Sequence, residues 1–236
     1  MKFFISAHSQ RGATRNENQD TVQVPAWHNT QRDRDSFSRE YSQSDIPALL
    51  LIADGIGGHV NGALASLMAI QSLKNSFEKN QDSFNEESAV EVAHTLLTRE
   101  AANETHAMGT TIVGLVLGYG EFRHFNVGDS KCLYISNLGV EEISIEDRVP
   151  YGGGNAITQS LGGGTYKPIV HKGRRQYRNN DKFVLSSDGL TDHLSSEEII
   201  AILNMNSENH ASELSKIALE NGSEDDISVI VAQIRL

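Results

Sequence analysis

ALLLIADGIGGH, residues 48–59, decides the architecture. The apolar run Ala48 to Ala53 is short and flanked by turn formers, so it reads as a buried strand rather than a helix. It stops at Asp54, and Gly55, Gly57 and Gly58 follow at once. A strand that ends on a carboxylate and a flexible turn places charge at the mouth of a core. Downstream, two helical patterns follow. Ala63 to Phe77 sets Leu64, Leu67, Met68, Leu73 and Phe77 near one face, and Glu86 to Ala107 does the same with Val90, Ala93, Leu96, Leu97 and Ala101. A strand-rich block comes next: TTIVGLVLG (110–118), EFRHFNVG (121–128), KCLYIS (131–136) and VEEISI (140–145), separated by turns as hairpins require.

Upstream, residues 1–8 and Thr21 to Val24 read as strands. The polar stretch from Trp27 to Ser44 has no apolar period and reads as one long exposed loop. Residues 150–165 are glycine-rich and irregular. Asp181 to Ser187 forms a strand, Ser195 with Glu198 caps a helix over EEIIAIL, a helix covers Ala211 to Glu220, and Ile227 to Ile234 is the last strand. Strands on both sides of a helical pair imply layered α/β packing with antiparallel sheets. No linker divides the pattern, so a single domain over residues 1–236 is expected.

The formal net charge of -11 argues against non-specific nucleic-acid binding, which needs positive charge to displace counterions. It offers no attraction to anionic membranes, and no apolar run approaches a membrane span. The opening residues carry too short an apolar stretch for a secretory signal core, and the lone Cys132 excludes an intrachain disulfide. A cytoplasmic protein is expected.

The chemistry lies where aspartates meet strand ends. Asp54 follows ALLLIA, Asp129 follows HFNVG, Asp188 follows FVLSS, and Asp225 with Asp226 precede ISVIVAQI. A carboxylate at the mouth of an apolar strand is costly unless it is solvated, capped or bound to a cation. Mg2+ and Mn2+ prefer such oxygen donors. Each aspartate alone also fits a turn or an N-cap. Arg15, in GATRNENQD, has the fork that grips phosphate oxygens, although a surface ion pair would use it equally well. Cys132 lacks the arginine spacing of a cysteine phosphatase.

Six segments in order, RNENQD (15–20), DGIGGH (54–59), GTT (109–111), GDSK (128–131), SDGLTD (187–192) and EDDISVI (224–230), resemble the motif series of the type 2C metal-dependent protein serine/threonine phosphatases, in their bacterial form. The resemblance implies a four-layer α-β-β-α sandwich with two antiparallel sheets and a two-metal centre, Mn2+ or Mg2+, at one edge. It implies hydrolysis of phosphoserine and phosphothreonine in proteins by a metal-activated water. Residue by residue, Asp54 would bridge the metals, Gly55 would offer its carbonyl, Asp188 and Asp225 would complete the ligands, and Asp20 would hold metal-bound water. Arg15 would grip the substrate phosphate. Asp129, with Asp188 and Asp192, matches a third-metal site that some members carry. Thr110 and Thr111 match a supporting segment without chemistry.

Several positions depart from the family pattern. Gln19 stands where a Glu is usual, Asp226 where an Asn is usual, and Lys131 where an Arg is usual. His59 carries no general-acid role by this resemblance. The flap that follows a DHS-like sequence in the family is shortened here to EDRVPYGGGNAITQSLGGG, residues 146–164. That wording resembles phosphatases encoded with bacterial type VI secretion systems. The implied partners are phosphoproteins of a cognate serine/threonine kinase. The competing expectations are a phosphatase-like regulator that binds phosphoproteins with little turnover, and another metal-dependent hydrolase on the same fold.

Overall fold

The computed structural model describes residues 2–235 apart from Arg32, residues 57–60, 104–107 and 150–155, and Thr165. In chain order the strands are β1 (Lys2–Gln10), β2 (Asp20–Val24), β3 (Trp27–His28), β4 (Arg34–Ser42), β5 (Ala48–Asp54), β6 (Ile112–Leu117), β7 (Glu121–Val127), β8 (Lys131–Ser136), β9 (Gly139–Glu142), β10 (His171–Gln176), β11 (Lys182–Ser186) and β12 (Ile227–Arg235). The helices are α1 (Gly62–Lys79), α2 (Glu86–Asn103), α3 (Asp188–Thr191), α4 (Ser196–Leu203) and α5 (His210–Glu220).

These strands make two antiparallel sheets, ordered β4-β1-β12-β11-β8-β9 and β10-β7-β6-β5-β2-β3. Three apolar clusters define the layers. Phe3, Ile5, Leu50, Ile52, Phe122 and Phe183 fill the space between the sheets. Alternate residues of β5 and β6 point the other way, so Leu49, Leu51 and Ile112 meet Leu73, Val90 and Leu97 of α1 and α2. Val184, Val229 and Val231 meet Ile199, Ile202 and Leu214 of α4 and α5. The result is the expected α-β-β-α sandwich. Continuous apolar strands such as β5 and β12 arise because both of their faces are covered. Among the described residues, no helix is long and apolar enough to cross a membrane.

Gly114 interrupts the apolar strand β6 for a steric reason. It lies opposite Phe125 of β7, and an added Cβ would strike that ring. The capping box at Ser195 is present, with Ser195 Oγ accepting from the Glu198 N–H at 3.3 Å and Glu198 accepting from the Ser195 N–H at 2.8 Å.

The stretch 27–44 is not the exposed loop expected from its polarity. It carries β3 and β4, and β4 pairs with β1 from Lys2↔Ser42 to Gln10↔Arg34. Backbone pairing and inward contacts by Phe37 and Tyr41 hold this edge strand, while its remaining side chains face water. Polar residues therefore mask it. The same holds for β10, HKGRRQ, an edge strand beside β7 that the apolar pattern does not announce. The helical pattern expected to run to Ala107 ends at Asn103 in α2, and residues 104–107 lie outside the described set.

His124 on β7 is buried, and its Nδ1 has no hydrogen-bond partner. Burial, then the nearby Arg175, pushes its pKa down to about 4. A histidine whose folded pKa lies below its unfolded value contributes stability above the unfolded value, and loses it as pH falls through the folded one. Wild type should therefore lose about 1–3 kcal/mol relative to His124→Gln between about pH 6.5 and about pH 4. Parallel denaturant titrations across that range check this; parallel stability curves for the two proteins would refute it.

Candidate metal centre

The two sheets meet the expected site residues at one edge. Asp54 closes β5, and its partner across the register is Asp20 at the start of β2. The backbone of Asp54 is clamped: its N–H donates to Thr111 Oγ1 at 3.1 Å, and its carbonyl accepts from the Thr111 N–H at 2.8 Å and Thr110 Oγ1 at 2.7 Å. Thr110 and Thr111 thus support the site through the backbone. Gly55 donates its N–H to the Gln19 carbonyl at 3.2 Å and bridges to Thr110. A side chain at Gly55 would collide with the Gly62 backbone, so only glycine lets the turn close there.

Asp188 opens α3 directly after β11, and Asp225 immediately precedes β12. Asp226 accepts from the Gly12 and Gln19 N–H groups, each at 2.8 Å, and so ties the segment carrying Arg15 to the last strand. Burial raises the Asp226 pKa while these two N–H groups oppose the rise.

One cavity is lined by Arg15, Asp54, Asp129, Asp188 and Asp225, together with Ile56, Thr111 and Ile157. Asp192 lines an adjoining groove with Arg15, Asp188 and Asp225. Asp20 is fully buried next to Asp54 and accepts from Ser187 Oγ at 2.9 Å. The residues drawn from distant stretches of sequence therefore do converge. Of the expected set, Gly55 serves through its backbone and His59 lies outside the described residues.

The electrostatics are those of crowded, mostly buried carboxylates. Burial, followed by the charges of Asp20, Asp188, Asp129 and Asp225, holds Asp54 well above the usual carboxylate range. Asp20 is pushed up to about 8 by burial and then by Asp226. Asp188 is pushed up to about 7 by burial and then by Asp129 and Asp225.

Two arginines offset part of this charge. Arg15 forks onto Asp225, with Nε to Oδ1 at 2.7 Å and Nη2 to Oδ2 at 2.5 Å. That hydrogen bond raises the Arg15 pKa above its ordinary value. Arg148, which the strand-end pattern does not single out, donates Nε to Asp129 at 2.9 Å and Nη2 to Asp188 at 3.0 Å. It also reaches both oxygens of Asp192, at 3.1 and 3.2 Å. No local spacing marks it, because its acceptors come from residues 129, 188 and 192.

The donor set fits hard divalent cations. It is all oxygen, it lines one cavity, and burial followed by mutual repulsion makes its carboxylates resist ionisation. Among the described residues, the hydrogen bonds at Asp54 all involve its backbone, which leaves the carboxylate to the cavity. No three acidic or histidine side chains among the described residues already close on a single point, so the carboxylates surround the cavity rather than a preformed cage.

Residues 26–226 match the family described as Protein phosphatase 2C. Serine/threonine protein phosphatase PstP of Mycobacterium tuberculosis is 25% identical over 251 residues, covering 97% of this chain and 44% of its own length. The chain thus spans less than half of that relative. Serine/threonine phosphatase stp of Listeria innocua is 26% identical over 225 residues, covering 83% of this chain and 88% of its own. Among solved structures, the catalytic domain of PstP in complex with two manganese ions has a TM-score of 0.78 at 24% identity, over 100% of both chains. PppA of Pseudomonas aeruginosa, described as a key regulatory component of its type VI secretion system, has a TM-score of 0.79 at 18% identity, over 98% of both. Those two likenesses establish the fold, and the match over residues 26–226 establishes the lineage: the chain belongs to the protein phosphatase 2C family.

Proposed function

We propose that this chain hydrolyses phosphoserine and phosphothreonine in proteins, using two divalent ions, Mn2+ or Mg2+. The observation that carries the reading is the single cavity lined by Asp54, Asp188 and Asp225 with Arg15 at its side. Asp54, Asp188, Asp225 and the Gly55 carbonyl would hold the ions, with Asp20 behind them. Bound there, two such ions supply an acidified water as nucleophile and positive charge for the phosphoryl oxygens. The chain's own contribution is placement. Thr110 and Thr111 fix Asp54 through its backbone, and Asp226 fixes the Arg15 segment against β12. Arg15 already makes a fork to a carboxylate, and the same geometry suits two phosphate oxygens.

The partners in this reading are phosphoproteins of a cognate serine/threonine kinase, met in the cytoplasm. A link to type VI secretion is the narrower form, supported by the shortened 146–164 wording and by the fold likeness to PppA. The net charge of -11 favours neither nucleic acid nor membrane partners. The test is turnover, with Mn2+ present, of phosphoserine and phosphothreonine peptides beside nucleotides. Sustained phosphate release from the peptides supports the reading. Stoichiometric binding without release indicates a phosphoprotein-binding regulator, and preference for nucleotides another hydrolase.

Arg15→Ala should raise KM more than it lowers kcat, with a loss of about 1.5–3 kcal/mol in kcat/KM for one charge-assisted fork. Arg15→Lys should restore only part of it, since an ammonium cannot fork. Steady-state kinetics decide, and a lysine variant equal to wild type would refute bidentate recognition.

A further inference from the structure

Arg148 lies within the segment that replaces the family's flap, and nothing in the proposed chemistry uses it. Its anchoring is extensive. The Val149 N–H donates to the Ala156 carbonyl at 3.0 Å, the Thr158 N–H donates to the Asp147 carbonyl at 2.7 Å, and Arg148 bridges to Ile157. Asp147 holds the other side. Its carboxylate accepts from the Gly128 N–H at 2.9 Å and from Gln159 Nε2 at 2.8 Å, and it contacts His171 Nε2 at 2.9 Å. Residue 148 is thereby carried on a short pinned ladder, one residue beyond a carboxylate tied to the turn that bears Asp129. The guanidinium has little freedom to leave.

The guanidinium meets a complete set of acceptors. Nε donates to Asp129 Oδ2, Nη2 to Asp188 Oδ2, and the two terminal nitrogens to the two oxygens of Asp192. Glu146 adds a carboxylate oxygen 3.3 Å from Nε. The side chain is only 18% exposed. Burial alone would lower the arginine pKa, yet the hydrogen bonds to Asp192 and Asp129 raise it overall, so the charge is permanent. Asp188 accepts from Arg148 through Oδ2 alone, and the residue also lines the cavity shared with Asp54 and Asp225.

We propose that Arg148 is a built-in third cation: its guanidinium holds the subsite of Asp129, Asp188 and Asp192, and the chain therefore takes up two divalent ions and no third. This rests on the two-metal reading above. A divalent ion needs carboxylate oxygens at about 2.0–2.2 Å and could gain them here only by expelling the guanidinium. Expulsion would strand a partly buried charge and break its hydrogen bonds. The single positive charge also offsets repulsion among three carboxylates while taking only Oδ2 of Asp188.

The experiment titrates the full chain with Mn2+ into the millimolar range and counts free ion by electron paramagnetic resonance, with circular dichroism as the check on folding. Wild type should bind two ions. Arg148→Ala should bind a third, more weakly, and Arg148→Ala combined with Asp192→Asn should return to two. Arg148→Gln keeps the length and hydrogen bonding without the charge, and it should also gain the third ion. It serves as the test if the alanine variant does not fold. A third ion in wild type overturns this inference alone. Folded Arg148→Ala and Arg148→Gln that both stay at two also overturn it. Fewer than two ions in wild type overturns both this inference and the two-metal reading.

Discussion

Chelation should reduce phosphopeptide turnover to background, a fall of at least about 10⁴-fold or roughly 5.5 kcal/mol of barrier, and Mn2+ or Mg2+ should restore it. The reason is the composition of the cavity. Among the described residues it holds no thiol, and its carboxylates are the donors that the two-metal reading assigns to the ions. Among the described residues its one lining cation is Arg15, which can orient phosphate but cannot generate a nucleophile. The stripped protein should still fold, because Arg15 and Arg148 compensate Asp225, Asp129, Asp188 and Asp192 within the chain. Adding ions at about a hundred times their dissociation constant should raise stability by about 2.7 kcal/mol. For a chain of this size that corresponds to a rise in Tm of about 5–10 °C. Activity assays and thermal melts on the same demetallated sample test both halves. Full turnover without metal would sink the mechanism, and an unchanged melting temperature would place the ions elsewhere.

Asp54→Ala and Asp188→Ala should each lower kcat by at least about a thousandfold, ~4 kcal/mol, while leaving the circular dichroism spectrum unchanged. Both carboxylates line the shared cavity, and both are held above the usual range by burial and then by neighbouring carboxylates. Such groups oppose folding at neutral pH when no cation is bound. Losing one should leave the metal-free protein as stable as wild type or more so, whereas a structural aspartate would show the reverse. For Asp54 the surrounding strand is held by backbone bonds from Thr110 and Thr111, which the substitution does not touch. Kinetics at saturating Mn2+ and melts in chelator are the measurements. An unchanged kcat in either variant would remove that residue from the centre.

What could be read from the sequence follows physical visibility. β5 and Asp54 are legible because both faces of the strand are apolar and the charge comes abruptly at its end. Asp188 and Asp225 repeat that contrast at β11 and β12. The edge strands β4 and β10 are not legible, since backbone pairing holds them and most of their side chains meet water. Arg148 escapes for another reason. Its acceptors lie 19, 40 and 44 residues away, after β7 and at the two ends of α3, and no local pattern joins them to it. Neither could the sequence reveal that Arg15 would turn to Asp225, 210 residues distant.

β12 lies in the interior of its sheet, between β1 and β11, and its pairing with β1 runs from Lys2↔Arg235 to Gln10↔Ile227. Asp225, Asp226 and the ties that seat Arg15 arrive with that strand. On a ribosome, β1 must therefore wait until β12 emerges for the neighbour that completes it. Contacts of such long sequence separation form slowly. A nascent chain stopped before residue 225 could already pack α1 and α2 on the other sheet, yet would carry neither carboxylate of that turn. On the two-metal reading, competence would then switch on only once β12 emerges, and a chain stopped before it would stay inactive.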